Sequence, residues 1–305
     1  MSSMFASAEE ASALLAGAGY LPSREIATAV FLADRLEKPV LVEGPAGVGK
    51  TELARAFAEA SGRRLVRLQC YEGLDEAKAL YEWEYAKQLL YTQMLRDRIG
   101  EAIGGARTLA EAADRIAAEG SVFFSERFLL PRPILQAVTS QVPVLLLVDE
   151  VDKADPEFEA FLLEVLADYA VTVPEVGTFR ARHPPRVVLT SNASRELSDA
   201  LRRRCLHLHI DFPTLERELA IVRARVPEAG DELARQAVAA VARLRGMDLR
   251  KPPSIAETID WVRALVLLGA GALEPGLVSE TLHLLLKHQG DAEKARGRAR
   301  EVAGA

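Results

Sequence analysis

The segment GPAGVGKT at residues 44–51 constrains this chain more than any other. It directly follows the apolar run 39–43 and directly precedes a helical pattern that begins at Glu52. The match is G-x-x-x-x-G-K-T in a strand–loop–helix setting, where glycines let backbone N–H groups curl around phosphates. In such a loop Gly44, Pro45, Ala46, Gly47, Val48 and Gly49 form the cradle. Lys50 reaches the β- and γ-phosphates, Thr51 ligates Mg²⁺ and Glu52 opens the helix. A plain glycine-rich turn would leave the adjoining Lys50–Thr51 pair without a purpose. A nucleoside triphosphate with Mg²⁺ is the expected ligand, on an α/β fold whose strand leads into the loop.

At 305 residues, 49% hydrophobic and 27% charged, the chain has material for one large domain or two smaller ones, and two are expected. The net charge of −6 and a pI near 5.6 give no global attraction to nucleic acid or anionic membrane. The opening MSSMFASAEEASALL has no basic segment leading into an apolar core, and no apolar stretch approaches the roughly 20 residues of a membrane span. A cytoplasmic location is expected, without a nucleic-acid partner or an integral membrane segment. Cys70 and Cys205 are the only cysteines and lie far apart in sequence, against a disulfide framework or a cysteine metal site.

Residues 52–61 read as a helix and 63–69 (RRLVRLQ) as a short strand, the start of a parallel sheet. A stretch rich in helix formers follows, including DEAKALYEWEYAKQLLYTQMLRDRI and ARTLAEAADRIAAEG. It is too long for one crossover, so inserted helices are expected at about 75–120. Tyr81, Trp83, Tyr85 and Tyr91 within it read as helix packing. VLLLV at 144–148 is the continuous apolar run of a strand buried on both faces, and PEFEAFLLEVLADY after it has helical spacing. VTVPEVGTF suggests a small hairpin at about 171–182, and PRVVLTS at 185–191 returns to strand. Beyond Asp211, Phe212 and Pro213 the pattern is helical, with Ser254 and Glu257 forming a capping box. The expected organisation is an α/β nucleotide-binding domain at 1–213, an all-helical domain at 214–290 and a basic, mobile tail at 291–305.

Three further elements carry chemistry. The buried strand VLLLV ends in Asp149 and Glu150, at the carboxyl edge where open α/β sheets bind ligands. There Asp149 can hold the Mg²⁺ shell and Glu150 can polarise a water attacking the γ-phosphate. Asn192, the only asparagine, ends the strand VVLTS, where a carboxamide can bond that water or the phosphate. LSDALRRRC at 197–205 ends a helix with Arg202, Arg203 and Arg204, read either as a solvated basic helix end or as an arginine finger for a neighbouring subunit.

Taken together, these elements resemble the AAA+ ATPases, and within them the MoxR group and its CoxD-type branch, the accessory ATPases of carbon monoxide dehydrogenase and related molybdenum hydroxylases. The finer resemblance rests on QCYEGLDEAKALYEWEYAKQLL at 69–90, RFLLPRPILQAV at 127–138, TVPEVGTFRA at 172–181 and RKPPSIAETIDW at 250–261. It implies an αβα P-loop core with a parallel sheet and a C-terminal helical lid. It also implies ATP and Mg²⁺ as cofactors, a hexameric homo-oligomer, a von Willebrand factor A domain partner and a molybdoenzyme client. Carried over by position, Asn192 becomes sensor 1 and Arg204 the finger, with Arg203 its closest competitor. The hairpin at 171–179 would be the one that commonly faces the pore in this clade. Where many relatives place a lid arginine on the γ-phosphate, this chain has Arg250-Lys251-Pro252-Pro253, leaving Lys251 or Arg250 for that role.

A G protein is excluded, because the single asparagine is followed by alanine and no N-K-x-D motif can exist. A nucleotide kinase is disfavoured by the trailing helical region, and a module holding ATP without turnover by the intact acid pair. A clamp-loader or helicase-loader ATPase, whose finger also precedes cysteine, remains as the alternative, with the acidic pI against it.

Overall fold

The computed structural model describes residues 4–94, 108, 111, 126–174 and 176–304. Two helices, α1 (Ala8–Gly17) and α2 (Arg24–Leu36), lead into β1 (Val40–Glu43), the phosphate loop and α3 (Lys50–Ala60). Then follow β2 (Arg64–Gln69), α4 (Glu76–Leu80), β3 (Tyr81–Trp83) and α5 (Tyr85–Met94). After residue 125 come β4 (Leu129–Pro131), α6 (Pro133–Val138), β5 (Val144–Asp149), α7 (Pro156–Asp168) and the hairpin β6 (Ala170–Val173) with β7 (Gly177–Arg180). β8 (Arg186–Ser191), α8 (Asp199–Arg204) and β9 (Leu206–His209) complete the α/β part.

The main sheet has the order β2-β5-β8-β1-β9 with every pairing parallel. Its central strands are buried at every step because both faces are covered, and the pleat sorts alternate residues to the two sides. Leu145 and Leu147 join Val40, Val42 and Val188 under α1, α2 and α3. Val144, Leu146 and Val148 join Leu41, Val187 and Leu189 under α6 and α7. Parallel pairing brings the carboxyl ends of β1, β5 and β8 to one edge, and the elements at 44–51, 149–150 and 192 all lie at those ends.

The aromatic stretch at 81–83 departs from its helical reading, whereas Tyr85 and Tyr91 lie in α5. Tyr81–Trp83 is a strand paired antiparallel with Leu129–Pro131, and Tyr81 packs edge-on against Trp83 at 5.8 Å between ring centroids. Aromatic side chains favour the pleated backbone, and β4 offers a partner that local spacing cannot reveal. The inserted helices expected within ARTLAEAADRIAAEG, apart from residues 108 and 111, and the hairpin-tip residue Glu175 lie outside the described residues.

The rest of the chain is helical: α9 (Leu215–Arg225), α10 (Asp231–Arg245), α11 (Ile255–Leu267), α12 (Pro275–Leu285), α13 (Gln289–Arg296) and α14 (Ala299–Ala303). Its core surrounds the fully buried Trp261, whose indole N–H donates to the Thr281 hydroxyl at 2.8 Å. The capping box is formed, with Ser254 Oγ accepting from the Glu257 N–H and the Glu257 carboxylate accepting from the Ser254 N–H. Of the segment 291–305, expected as a mobile tail, the described residues 291–304 instead form most of α13 and all of α14 and bury Ala295 and Val302 against this core. Its small apolar residues, spaced among the basic ones, are what pack.

Candidate active site

The phosphate loop needs glycine at two places for different reasons. At Gly44, with φ +149°, an added Cβ would lie 1.9 Å from the Ile210 carbonyl oxygen, so the loop can leave β1 only without a side chain. At Gly47, with φ +78°, an added Cβ would lie 2.2 Å from Cβ of Ser254. The Ile255 N–H donates to the Gly47 carbonyl at 3.2 Å. The start of α11 therefore sits directly on the loop.

Lys50 begins α3 and is buried. Its Nζ donates to the carbonyls of Gly44 at 2.6 Å and Pro45 at 2.7 Å and to Asn192 Oδ1 at 2.7 Å. Burial holds its pKa below the usual lysine value, against the opposing pull of Asp152, Asp149 and Glu150. These acceptors are partners a phosphate can replace. The Thr51 hydroxyl lies 3.1 Å from Asp149 Oδ1, so the two oxygen donors expected for Mg²⁺ are adjacent.

Asp149, the last residue of β5, is 2% exposed. It also accepts from the Thr190 hydroxyl at 2.5 Å and from Arg67 Nε and Nη2 at 3.0 and 2.6 Å. Glu150 has the left-handed backbone φ 57°, ψ 50°, with its N–H on the Thr190 hydroxyl at 2.9 Å. A non-glycine residue in this region is uncommon, and here the turn aims the second carboxylate back across the sheet edge. That carboxylate accepts from Lys153 Nζ at 2.6 Å, Gln69 Nε2 at 2.9 Å and Asn192 Nδ2 at 3.2 Å. Asn192 thus bridges Lys50 and Glu150.

Sequence reading missed the residues that hold this group in place. Asp152 accepts from the N–H groups of Asn192 and Ser194 and from the Ser194 hydroxyl. Burial alone would raise its pKa, but those donors keep it below the usual carboxylate value. The signal for Asp152 and Lys153 was their place in DEVDK. Arg67 and Gln69 were visible as the polar alternates of RRLVRLQ.

A cavity of about 550 Å³, within the usual range for small-molecule sites, runs from the loop between the sheet edge and the helical region. Tyr20, Ile210, Ile221 and Ile259 line its apolar end. Burial pushes the Tyr20 phenol up to about 12 despite the neighbouring Arg217, so it stays protonated. The glycine loop with Lys50 at its end, the adjacent oxygens of Thr51 and Asp149 and the apolar end of the cavity fit a nucleoside triphosphate and Mg²⁺.

Lys251 and Arg250 are not among the residues that line the cavity. Their backbone N–H groups donate to Asp291 at 3.2 and 3.0 Å, which turns this segment toward α13. The helical-region cations at the cavity are Arg217, Arg225 and Arg263. The three arginines of α8 also lie outside the cavity of their own chain. Arg202 pairs with the buried Glu43 at 3.1 Å and Arg204 donates to the Leu163 carbonyl at 2.7 Å. Arg203 is exposed.

Among solved structures the chain is similar to the RuvB Holliday junction branch migration motor of Thermotoga maritima, at 18% identity over 86% of this chain and 67% of that one, with a TM-score of 0.47. Two variants of that protein match at 18% and 19% identity, covering 86% of this chain and 68% and 67% of theirs, each with a TM-score of 0.47. The family profile described as the AAA domain, dynein-related subfamily, matches residues 39–205, more than half of the chain and the whole span from β1 to the end of α8. With that match over this sheet and cradle, the chain belongs to the dynein-related subfamily of AAA domain proteins, ATPases that use ATP with Mg²⁺.

Proposed function

We propose that this AAA ATPase is a ring-forming, hexameric motor of the MoxR group, in its CoxD-type branch, that uses hydrolysis at subunit interfaces to remodel or mature a partner protein. The carrying observation is a division of parts: Lys50, Thr51, Asp149, Glu150 and Asn192 converge on one cavity, while the arginine run stands outside it on the same chain. Besides Lys50, the cations at the cavity are Arg55 of α3 and Arg217, Arg225 and Arg263 of the helical region, none of them from the arginine run, and a neighbouring copy is what can bring that run to the site. The branch rests on the phrasing of residues 69–90, 127–138, 172–181 and 250–261, and with it go a von Willebrand factor A domain partner and a molybdenum hydroxylase client.

Each residue then has a task. The loop N–H groups of residues 44–49 and the start of α3 hold the phosphates, and Lys50 leaves its carbonyl partners for the β- and γ-oxygens. Thr51 and Asp149 would hold Mg²⁺, which would offset charge on the phosphates. Glu150, released from Lys153 and Gln69, accepts the proton of the attacking water, and Asn192 orients that water. Arg204 or Arg203 of the adjoining subunit meets the charge that develops on the γ-phosphate. Residues 1–213 form the nucleotide-binding domain, and the helical lid extends from 214 through the packed α14.

The decisive experiment mixes Lys50→Ala subunits with Arg204→Ala or Arg203→Ala subunits, each expected to be inactive alone. A shared site predicts recovered ATPase activity in the mixture, together with a hexameric mass in ATP. A finger contributes on the order of 10³–10⁵ in kcat, so the loss on its removal is unmistakable. Inactivity of both mixtures despite proven co-assembly would remove the arginine run from hydrolysis. Stimulation by a von Willebrand factor A domain protein, and none by DNA, supports the proposed partner class.

A further inference from the structure

β2 is an edge strand of the main sheet, and one of its faces is exposed where α3 ends its cover. Pairing sets Arg67 beside Leu147 and Gln69 beside Asp149, so these four residues share the face on which Thr51 meets the acid. From there the Arg67 side chain, 43% exposed, reaches forward to a carboxylate that is itself 3% exposed. A carboxylate offers about four lone-pair directions. On Asp149, Oδ2 takes Arg67 Nε at 3.0 Å and Nη2 at 2.6 Å, and Oδ1 takes Thr190 at 2.5 Å and Thr51 at 3.1 Å. No direction is left for a metal ion or its water.

One of these donors has to yield, and they differ in freedom. Thr190 is 1% exposed on the neighbouring strand and also receives the Glu150 N–H. Thr51 belongs to α3 and offers its own oxygen to the metal. Arg67 alone comes from the open edge, with solvent beside its guanidinium, and its charge opposes an incoming divalent cation.

We propose that Arg67 is a counter-cation that occupies Oδ2 of Asp149 and is displaced when Mg²⁺ enters with the nucleotide. Arg67 is a positioning residue: it neutralises the acid in the empty site and sets the Mg²⁺ concentration at which the site fills. This inference rests on the reading of Asp149 as the metal-binding acid.

The test titrates Mg²⁺ into the folded, full-length protein with a fluorescent ATP analogue and reads binding rather than turnover. Arg67→Gln is expected to lower the Mg²⁺ concentration for half-maximal binding about three- to tenfold, a range reduced by the exposure of the pair. Arg67→Lys keeps a charge but loses the two-pronged fork, and is expected to fall between Gln and wild type. Arg67→Met, which keeps the apolar stem, serves if the Gln variant does not fold, as judged by thermal unfolding without nucleotide. An unchanged or raised Mg²⁺ requirement in a folded Gln or Met variant overturns the inference. Asp149→Asn separates the two readings: loss of Mg²⁺ dependence there with no shift at Arg67 sinks this inference alone, whereas unchanged Mg²⁺ dependence sinks the metal role of Asp149.

Discussion

Asp34 and Asp149 stand at opposite ends of the same sheet, the first where β1, β2 and β8 begin and the second where β5 ends. They are 1% and 2% exposed and both are held by arginine. Around Asp34 the cations are as buried as the acid: the side chains of Arg186 and Arg63 are 4% and 9% exposed. Arg186 is further fixed on the Asp34 carbonyl and on Glu37, and the Met4 N–H closes the other carboxylate oxygen. Around Asp149 the arginine is half in water, Lys50 rests on replaceable carbonyls, and Glu150 takes three donors that a substrate can redistribute. Two networks of the same chemistry therefore divide into a rivet and an exchangeable set. Burial of the donor, rather than of the acid, separates them, because a donor without water beside it has nowhere else to go.

The comparison breaks first at Glu150. Glu150→Gln keeps the shape of the side chain and removes its basicity, so turnover should fall on the order of 10²–10⁴, with ATP binding and thermal midpoint unchanged. Turnover at the wild-type rate would take proton acceptance away from this carboxylate. A drop in stability instead would make the network another rivet.

Asp34→Ala should give the reverse pattern. It leaves Arg63 and Arg186 buried without their acid, at a cost of about 3–5 kcal/mol of stability in denaturant unfolding, while ATP affinity of the folded protein is retained. A loss below about 1 kcal/mol would show that the starts of the strands are held by packing alone.

The smallest expected effect is in acid. Burial would raise the pKa of Asp34, but the Met4 N–H, Arg186 and Arg63 hold it below its ordinary 3.8. A carboxylate depressed on folding contributes stability above its unfolded value and loses it as pH falls through the folded one. The thermal midpoint of the wild type should therefore drop more steeply below about pH 4 than that of Asp34→Asn. Equal slopes would assign the acid transition to other depressed carboxylates, Asp152 among them.

The sequence by itself determined the sheet and the residues that meet at its carboxyl edge. VLLLV is apolar at every step because both its faces are covered, VVLTS and the run before GPAGVGKT turn polar only at Thr190, Ser191 and Glu43 where they reach the carboxyl edge, and the loop with its Lys50–Thr51 pair is a local pattern whose geometry follows from its own glycines. Only the tertiary structure decided who holds the acids. Arg67 meets Asp149 across 82 residues and Gln69 meets Glu150 across 81, contacts set by β2–β5 register rather than by neighbours along the chain. The same limit explains the short β3, which needs β4 beside it, and the turning of Lys251 and Arg250 toward Asp291, 40 and 41 residues away. Local spacing states what a segment can become and which chemistry it carries. The partner of each charge is chosen where strands and helices from distant parts of the chain meet.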